Sequence, residues 1–264
     1  MKKRFIATLL VAIFAIGIFP STTLAAADMP SSWAQSEVKE AIYRGFVPDE
    51  LQNNYTKSIS RAEFAKVAVF YLAASQNLGV DDFMNIYREK SEMLTGNQFE
   101  YKEPFSDIDD YYINSAYALG VVNGRSNEIF DPDSPITRQE AAVMLLNTYR
   151  LFGTYANQEK AHSFRKGEIF QDSDIIAEWA IESAAVMYQF GVMNGINNDT
   201  WDPLGYYTRE QCFATFMRLQ NYWPPIEIYT LLPYDEAIKR IYSNDNFLSY
   251  DVRIYAFDCF IVRQ

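Results

Sequence analysis

Three arginines recur in one local frame: Ile59-Ser-Arg61-Ala-Glu63, Ile136-Thr-Arg138-Gln-Glu140 and Tyr207-Thr-Arg209-Glu-Gln211. In each, a hydroxyl residue is followed three positions later by Glu or Gln, the signature of a capping box that satisfies unpaired backbone N–H groups at a helix start. The arginine then falls at the first helical position. A cation there opposes the helix macrodipole by roughly 0.3–1 kcal/mol, so something else must favour it. One reading is an anion pocket, in which the guanidinium and free first-turn N–H groups together receive a carboxylate or phosphate. The other is an internal ion pair, for instance with Asp107 or Asp172 of a neighbouring unit, fastening unit to unit. Spacing alone leaves both open.

The elements that position these arginines repeat as well. Gly120-Val-Val-Asn123-Gly124 precedes Phe130-Asp-Pro, and Gly191-Val-Met-Asn194-Gly195 precedes Trp201-Asp-Pro; glycine to arginine is 18 residues in both. Phe105-Ser-Asp107 opens one copy and Phe170-Gln-Asp172 the other. An altered copy lies upstream, where Trp33-Ala34 precedes Gly45 by 12 residues, as Trp179-Ala180 precedes Gly191 by 12. Its glycine-to-arginine interval is 16, and Pro48-Asp49 stands where the others have Asn-Gly. Such internal periodicity marks units that share one core.

Each copy reads as helix, loop, helix. Ala184, Ala185, Met187, Tyr188 and Phe190 follow helical spacing and stop at a glycine able to take positive φ. Asn-Gly and Asp-Pro then supply turn chemistry. The second helix carries apolar stripes such as Phe64, Val67, Ala68 and Tyr71, or Ala141, Met144, Leu145 and Thr148. One such unit cannot bury its own apolar face, so the fold class expected is a mostly α-helical bundle of three packed units. A further helix is expected from about Asp82 to Leu94.

The Phe-x-Asp opening, the helix ending in Gly-Val-Val-Asn-Gly, the Phe-Asp-Pro turn and the Ile-Thr-Arg-Gln-Glu box together resemble the S-layer homology family. Three tandem copies would cover roughly residues 28 to 222. The resemblance implies a pseudo-threefold, three-pronged helical bundle whose grooves bind secondary cell wall polysaccharide, often through a pyruvylated amino sugar. It implies non-covalent anchoring at the bacterial cell wall, with surface-layer proteins as possible further partners. Carried over position by position, it makes Arg61, Arg138 and Arg209 ligand contacts. Asn123, Gly124, Asn194 and Gly195 become backbone that approaches a sugar closely. Asp107 and Asp172, and also Asp28, match the family's opening acid, either binding sugar hydroxyls or orienting the arginines. Departures in the first copy, Glu210 beside Arg209 in the third, and the lack of a Trp-Ala pair in the second favour one or two competent grooves over three.

Composition bounds the rest. Lys2, Lys3 and Arg4, an apolar run from Phe5 to Phe19 and a small-residue stretch to Ala27 form a secretory signal pattern, with cleavage expected after Ala27 or Ala25. The organisation expected is a signal peptide at 1–27, repeats at 28–75, 104–152 and 169–222, a linker helix within 76–103, a polar linker at 153–168 and an α+β tail at 223–264. The chain carries 34 acidic against 23 basic residues, net −11. Removing the three leader cations leaves 20 basic residues and net −14. That balance argues against nucleic acid or an anionic membrane surface as a partner after signal cleavage. It also repels an anionic polymer at long range, although screening at ~0.15 M salt confines such forces to about 8 Å. Recognition must therefore be local.

Two cysteines and one histidine exclude the paired-histidine and four-thiolate zinc sites, and no cofactor is expected. Trp201 stands in register with Phe130 and is expected in the core, as are most of the other tryptophans, Trp33, Trp179 and Trp223. Asp107-Ile-Asp109-Asp110 and Asn197-Asn-Asp199 lack the spacing of a calcium loop and read as turns. Cys212 reads as a small core residue and His162 as a linker residue. No nucleophile–base pattern marks an enzyme. The alternatives are a wall-glycan enzyme targeted by the repeats and a self-assembling surface-layer subunit.

Overall fold

The three capping boxes form, and each starts a helix. A computed structural model describes residues 28–95, 103–151 and 170–221. Its helices are α1 (Gln35–Tyr43), α2 (Arg61–Ala74), α3 (Val80–Thr95), α4 (Tyr111–Ala118), α5 (Arg138–Arg150), α6 (Ile181–Gln189) and α7 (Arg209–Gln220). Glu63, Glu140 and Gln211 accept the N–H of Ser60, Thr137 and Thr208 at 3.1, 2.9 and 3.0 Å. The first helices α1, α4 and α6 run into Gly45, Gly120 and Gly191, at φ +77°, +74° and +65°, a region that favours glycine. Helix α3 is the expected extra helix and packs on α2.

The repeats are interleaved rather than side by side. Helix α4 packs on α2, α6 on α5 and α1 on α7, so each repeat's first helix lies against the second helix of the repeat before it, and the third closes on the first. Helices α2, α5 and α7 meet one another at the centre. A ring of backbone bonds joins the segments that lead into them: Ile59 N–H donates to Tyr207 O (2.8 Å), Tyr207 N–H to Ile136 O (2.9 Å) and Ile136 N–H to Ile59 O (3.1 Å). These residues each stand two before an arginine, so the ring is a pseudo-threefold axis written in hydrogen bonds. Around it Phe64, Tyr71, Tyr207, Phe213 and Phe216 are fully buried. Ion pairs clamp two prongs, Arg218 to Glu37 through two 2.7 Å bonds and Arg150 to Glu182 at 2.8 Å.

Turn chemistry explains the other polar loop residues. Asp110 caps α4 by accepting from Tyr112 and Ile113 N–H, and Asn197 Oδ1 accepts from Asp199 and Thr200 N–H. Cys212 is buried, and burial pushes its thiol up. No helix among the described residues is long and apolar enough to cross a membrane, and no described cluster could hold a metal. The signal peptide, the 153–168 linker with His162, and the tail with Trp223 and Cys259 lie outside the described residues.

Candidate functional site: three arginines between repeats

The free N–H groups expected beside each arginine are taken. Arg61, Arg138 and Arg209 N–H donate to Ser134, Gly205 and Lys57 O, and Ala62, Gln139 and Glu210 N–H to Pro132, Pro203 and Tyr55 O, all at 2.9–3.1 Å. Each carbonyl belongs to the loop of the next repeat in the cycle. The helix N-termini are therefore joints between repeats, and an anion can be met only by side chains.

The guanidinium groups follow the same rule. Arg61 Nε donates to Phe130 O (3.0 Å) and Nη2 to Asn123 O (3.0 Å). Arg138 Nε donates to Trp201 O (2.8 Å) and Nη2 to Asn194 O (2.6 Å). Arg209 Nη1 reaches both Asn53 O and Oδ1 at 2.9 Å. All three are at least 95% buried and lie near aromatic faces in two cases, Arg61 over Phe130 at 4.9 Å and Arg138 over Trp201 at 5.2 Å. Such cation–π contacts add roughly 0.5–2 kcal/mol.

The environments diverge at the fourth position of each capping box. Glu63 grips Arg209 at 2.6 and 3.3 Å. Glu140 lies 3.5 Å from Arg61 Nη1 and also pairs with Arg125. Burial and the neighbouring Arg125 charge pull the Arg61 guanidinium below its ordinary range, partly offset by Glu140, Asp131 and Asp107. Gln211 faces Arg138 and brings no charge.

The ion-pair alternative named Asp107 or Asp172 as partner, and the structure places neither there. Asp107 accepts Phe130 and Asp131 N–H at 2.9 and 2.7 Å, and Asp172 accepts Trp201 and Asp202 N–H at 2.9 and 2.7 Å. Asp28 bonds Asn54 N–H in the equivalent way. Asn54, Asp131 and Asp202 all have φ between +47° and +64°. Each opening acid thus pins a strained turn, and two of the turns present the carbonyl that an arginine Nε grips. The acids orient the arginines at one remove, through backbone. The bond from Phe130 N–H holds the Asp107 carboxyl below the usual carboxylate range against the opposing effect of burial, with Asp131 N–H adding to the lowering.

Two of the arginines open onto clefts. Arg61, Asn123, Gly124, Arg125, Glu140 and Trp179 share one of about 380 Å³. Arg138, Asn194, Gly195, Gln211, Arg218 and Trp33 share another of about 370 Å³. Each of these two clefts mixes three repeats: arginine from one, Asn-Gly loop from the next, tryptophan from the third. The expectation that these tryptophans are core is corrected, since Trp33 is 51% and Trp179 59% exposed, whereas Trp201 is fully buried as expected. The alanine after each is the buried member, Ala34 and Ala180 both at 0%. Ile108 stands at the tryptophan position in the second repeat. Glu210, expected beside Arg209, instead accepts Ser31 N–H and Oγ–H at 2.7 and 2.8 Å and ties down the amino-terminal segment.

Gly124 and Gly195 line the clefts, but the structure gives them an internal duty. A Cβ on Gly195 would sit 2.5 Å from Asn197 O and Phe170 Cε1, and one on Gly124 would sit 2.2 Å from Ser126 O and 2.6 Å from Phe105 Cε1. Tight loop closure over an aromatic ring requires glycine there.

Residues 104–142 match the S-layer homology domain. The match lies within the second copy of the sequence pattern; the hydrogen-bond ring and the cyclic arginine contacts relate that copy to the other two. The chain is 24% identical over 194 residues to an amylopullulanase of Thermoanaerobacterium thermosulfurigenes, covering 71% of this chain and 9% of that protein. It is 25% identical over 207 residues to S-layer protein EA1 of Bacillus anthracis, covering 76% and 21%, and 30% identical over 143 residues to a cell surface protein of Thermoanaerobacter kivui, covering 51% and 18%. The chain spans about a fifth or less of the length of these relatives. The domain and the surface-layer relatives support a cell-wall anchoring module at the cell surface.

Proposed function

We propose that the chain is a non-catalytic anchor of three S-layer homology repeats that holds its protein on the bacterial cell wall by binding an anionic secondary wall polysaccharide, one carrying pyruvyl carboxylates. The observation that carries this reading is Arg138: a buried guanidinium whose hydrogen bonds among the described residues go only to backbone carbonyls, at an open cleft with no carboxylate among its described lining residues. A buried cation without a counter-ion is costly unless something supplies one. A ligand carboxylate would do so, with Trp33 offering its exposed face to a sugar ring. One charge-assisted bond is worth roughly 1.5–3 kcal/mol, too little for durable attachment. Repeating sugars engaging the Arg138 and Arg61 clefts of one rigid bundle would add avidity.

Purified wall sacculi test this. The protein is expected to sediment with intact sacculi and to stay in solution once the non-peptidoglycan polymer is stripped. Binding that survives stripping would count against the anchor, and turnover of labelled wall glycan would favour the enzyme alternative.

A further inference from the structure

Resting on that reading, we propose that Gln211 is the residue that makes the Arg138 cleft selective for a carboxylate-bearing saccharide, and that the equivalent glutamates shut this property off in the other two repeats. The same side chain of the capping box faces the preceding repeat's arginine in every case. Where it is Glu63, both guanidinium nitrogens facing it are bonded, and Arg209 is an internal lock. Where it is Glu140, a carboxylate already stands in the cleft, shared by Arg61 and Arg125. Where it is Gln211, the charge is absent.

The details favour an anion there. Arg138 is 5% exposed, and its Nη1 bonds no described residue. Gln211 Oε1 is fixed by Thr208 N–H at 3.0 Å, which leaves its Nε2 as a neutral donor with no described partner. Arg218 adds a second guanidinium to the lining, its own charge held by Glu37 outside the cleft. Two unused N–H donors beside an uncompensated cation suit one carboxylate. A glutamate at this position would repel it and take Arg138 for itself.

The test compares an amino sugar carrying a pyruvyl ketal with its methyl ester, by calorimetric titration. The wild type is expected to prefer the acid by about tenfold or more, the size of one charge-assisted bond. Gln211→Glu keeps the capping box found in the other repeats and gives Arg138 a partner, so it should fold with a Tm no lower than that of the wild type and lose the preference. Glu140→Gln should create the preference in the Arg61 cleft, seen as a second acid-selective site. An acid preference that survives Gln211→Glu would overturn this inference while leaving the anchoring function intact. A wild type that binds intact sacculi and neither sugar would overturn it too. Failure to bind sacculi would strike the anchoring function itself.

Discussion

Arg209→Ala is expected to destabilise the protein by about 3–5 kcal/mol, the typical result of stripping one partner from a buried ion pair. Arg209 and Glu63 have 7% and 22% exposed side chains and meet at 2.6 Å, and Asn53 loses two bonds with the guanidinium. For a bundle of this size that corresponds to roughly 6–20 °C in Tm. Adding Glu63→Ala should cost less than the sum of the two single changes, because the orphaned carboxylate goes with it. Acid should reproduce the effect. Burial alone would raise the Glu63 carboxyl, but bonds from Arg209 and Ser60 N–H, with the charges of Arg209 and Lys57, hold it below its ordinary value. A depressed folded-state value means the stabilisation is complete above the unfolded glutamate value of about 4.3 and is lost as pH falls through the folded one. The Tm gap between wild type and Arg209→Ala should therefore narrow below about pH 4, as melting curves across pH would show. Polymer binding by the folded variant should persist, since Arg209 is a lock and not a contact.

Gly195→Ala and Gly124→Ala are expected to cost about 3 kcal/mol each, at the upper end for overpacking. The obstructing atoms are mostly backbone oxygens, Asn197 and Thr200 O around Gly195 and Ser126 and Ile129 O around Gly124, which cannot rotate away as a side-chain tip can. The loop must open instead, and with it move Asn194 O or Asn123 O, the acceptors of Arg138 and Arg61 Nη2. Denaturant unfolding measures the stability loss, and titration of the still-folded fraction should show weakened polymer binding as well. Gly120→Ala offers a contrast, since no atom lies within 4 Å of the added Cβ and only the positive φ of +74° penalises it. It should cost less, about 1 kcal/mol.

Local signals made much of this fold legible. Ser60, Thr137 and Thr208 announced three helices, Gly45, Gly120 and Gly191 ended three more, and Trp201 replacing Phe130 marked one buried site, all because capping, positive φ and ring volume act within a few residues. The grooves were not legible in the same way. Arg61 meets residues more than 60 positions away, and Arg209 meets residues about 150 away. No spacing rule says that a repeat's arginine docks on its neighbour's loop, or that its first-turn N–H groups are satisfied by that loop. Trp33 and Trp179 lie exposed, against the core expectation, while the alanine beside each is fully buried. The change from Glu to Gln at 211 was visible as a sequence difference, but its consequence needed the cyclic packing that sets Gln211 opposite Arg138.

Equilibrium binding of the purified wall polymer to Arg138→Met, read beside its Tm, tests the central claim most directly. Methionine keeps apolar contact with Trp201 and Tyr207 while removing the charge. The expected result is a protein still folded at 25 °C, its Tm lowered by several degrees for two lost bonds to carbonyls, with polymer affinity down by about tenfold or more. Undiminished affinity in a folded Arg138→Met protein would contradict the account.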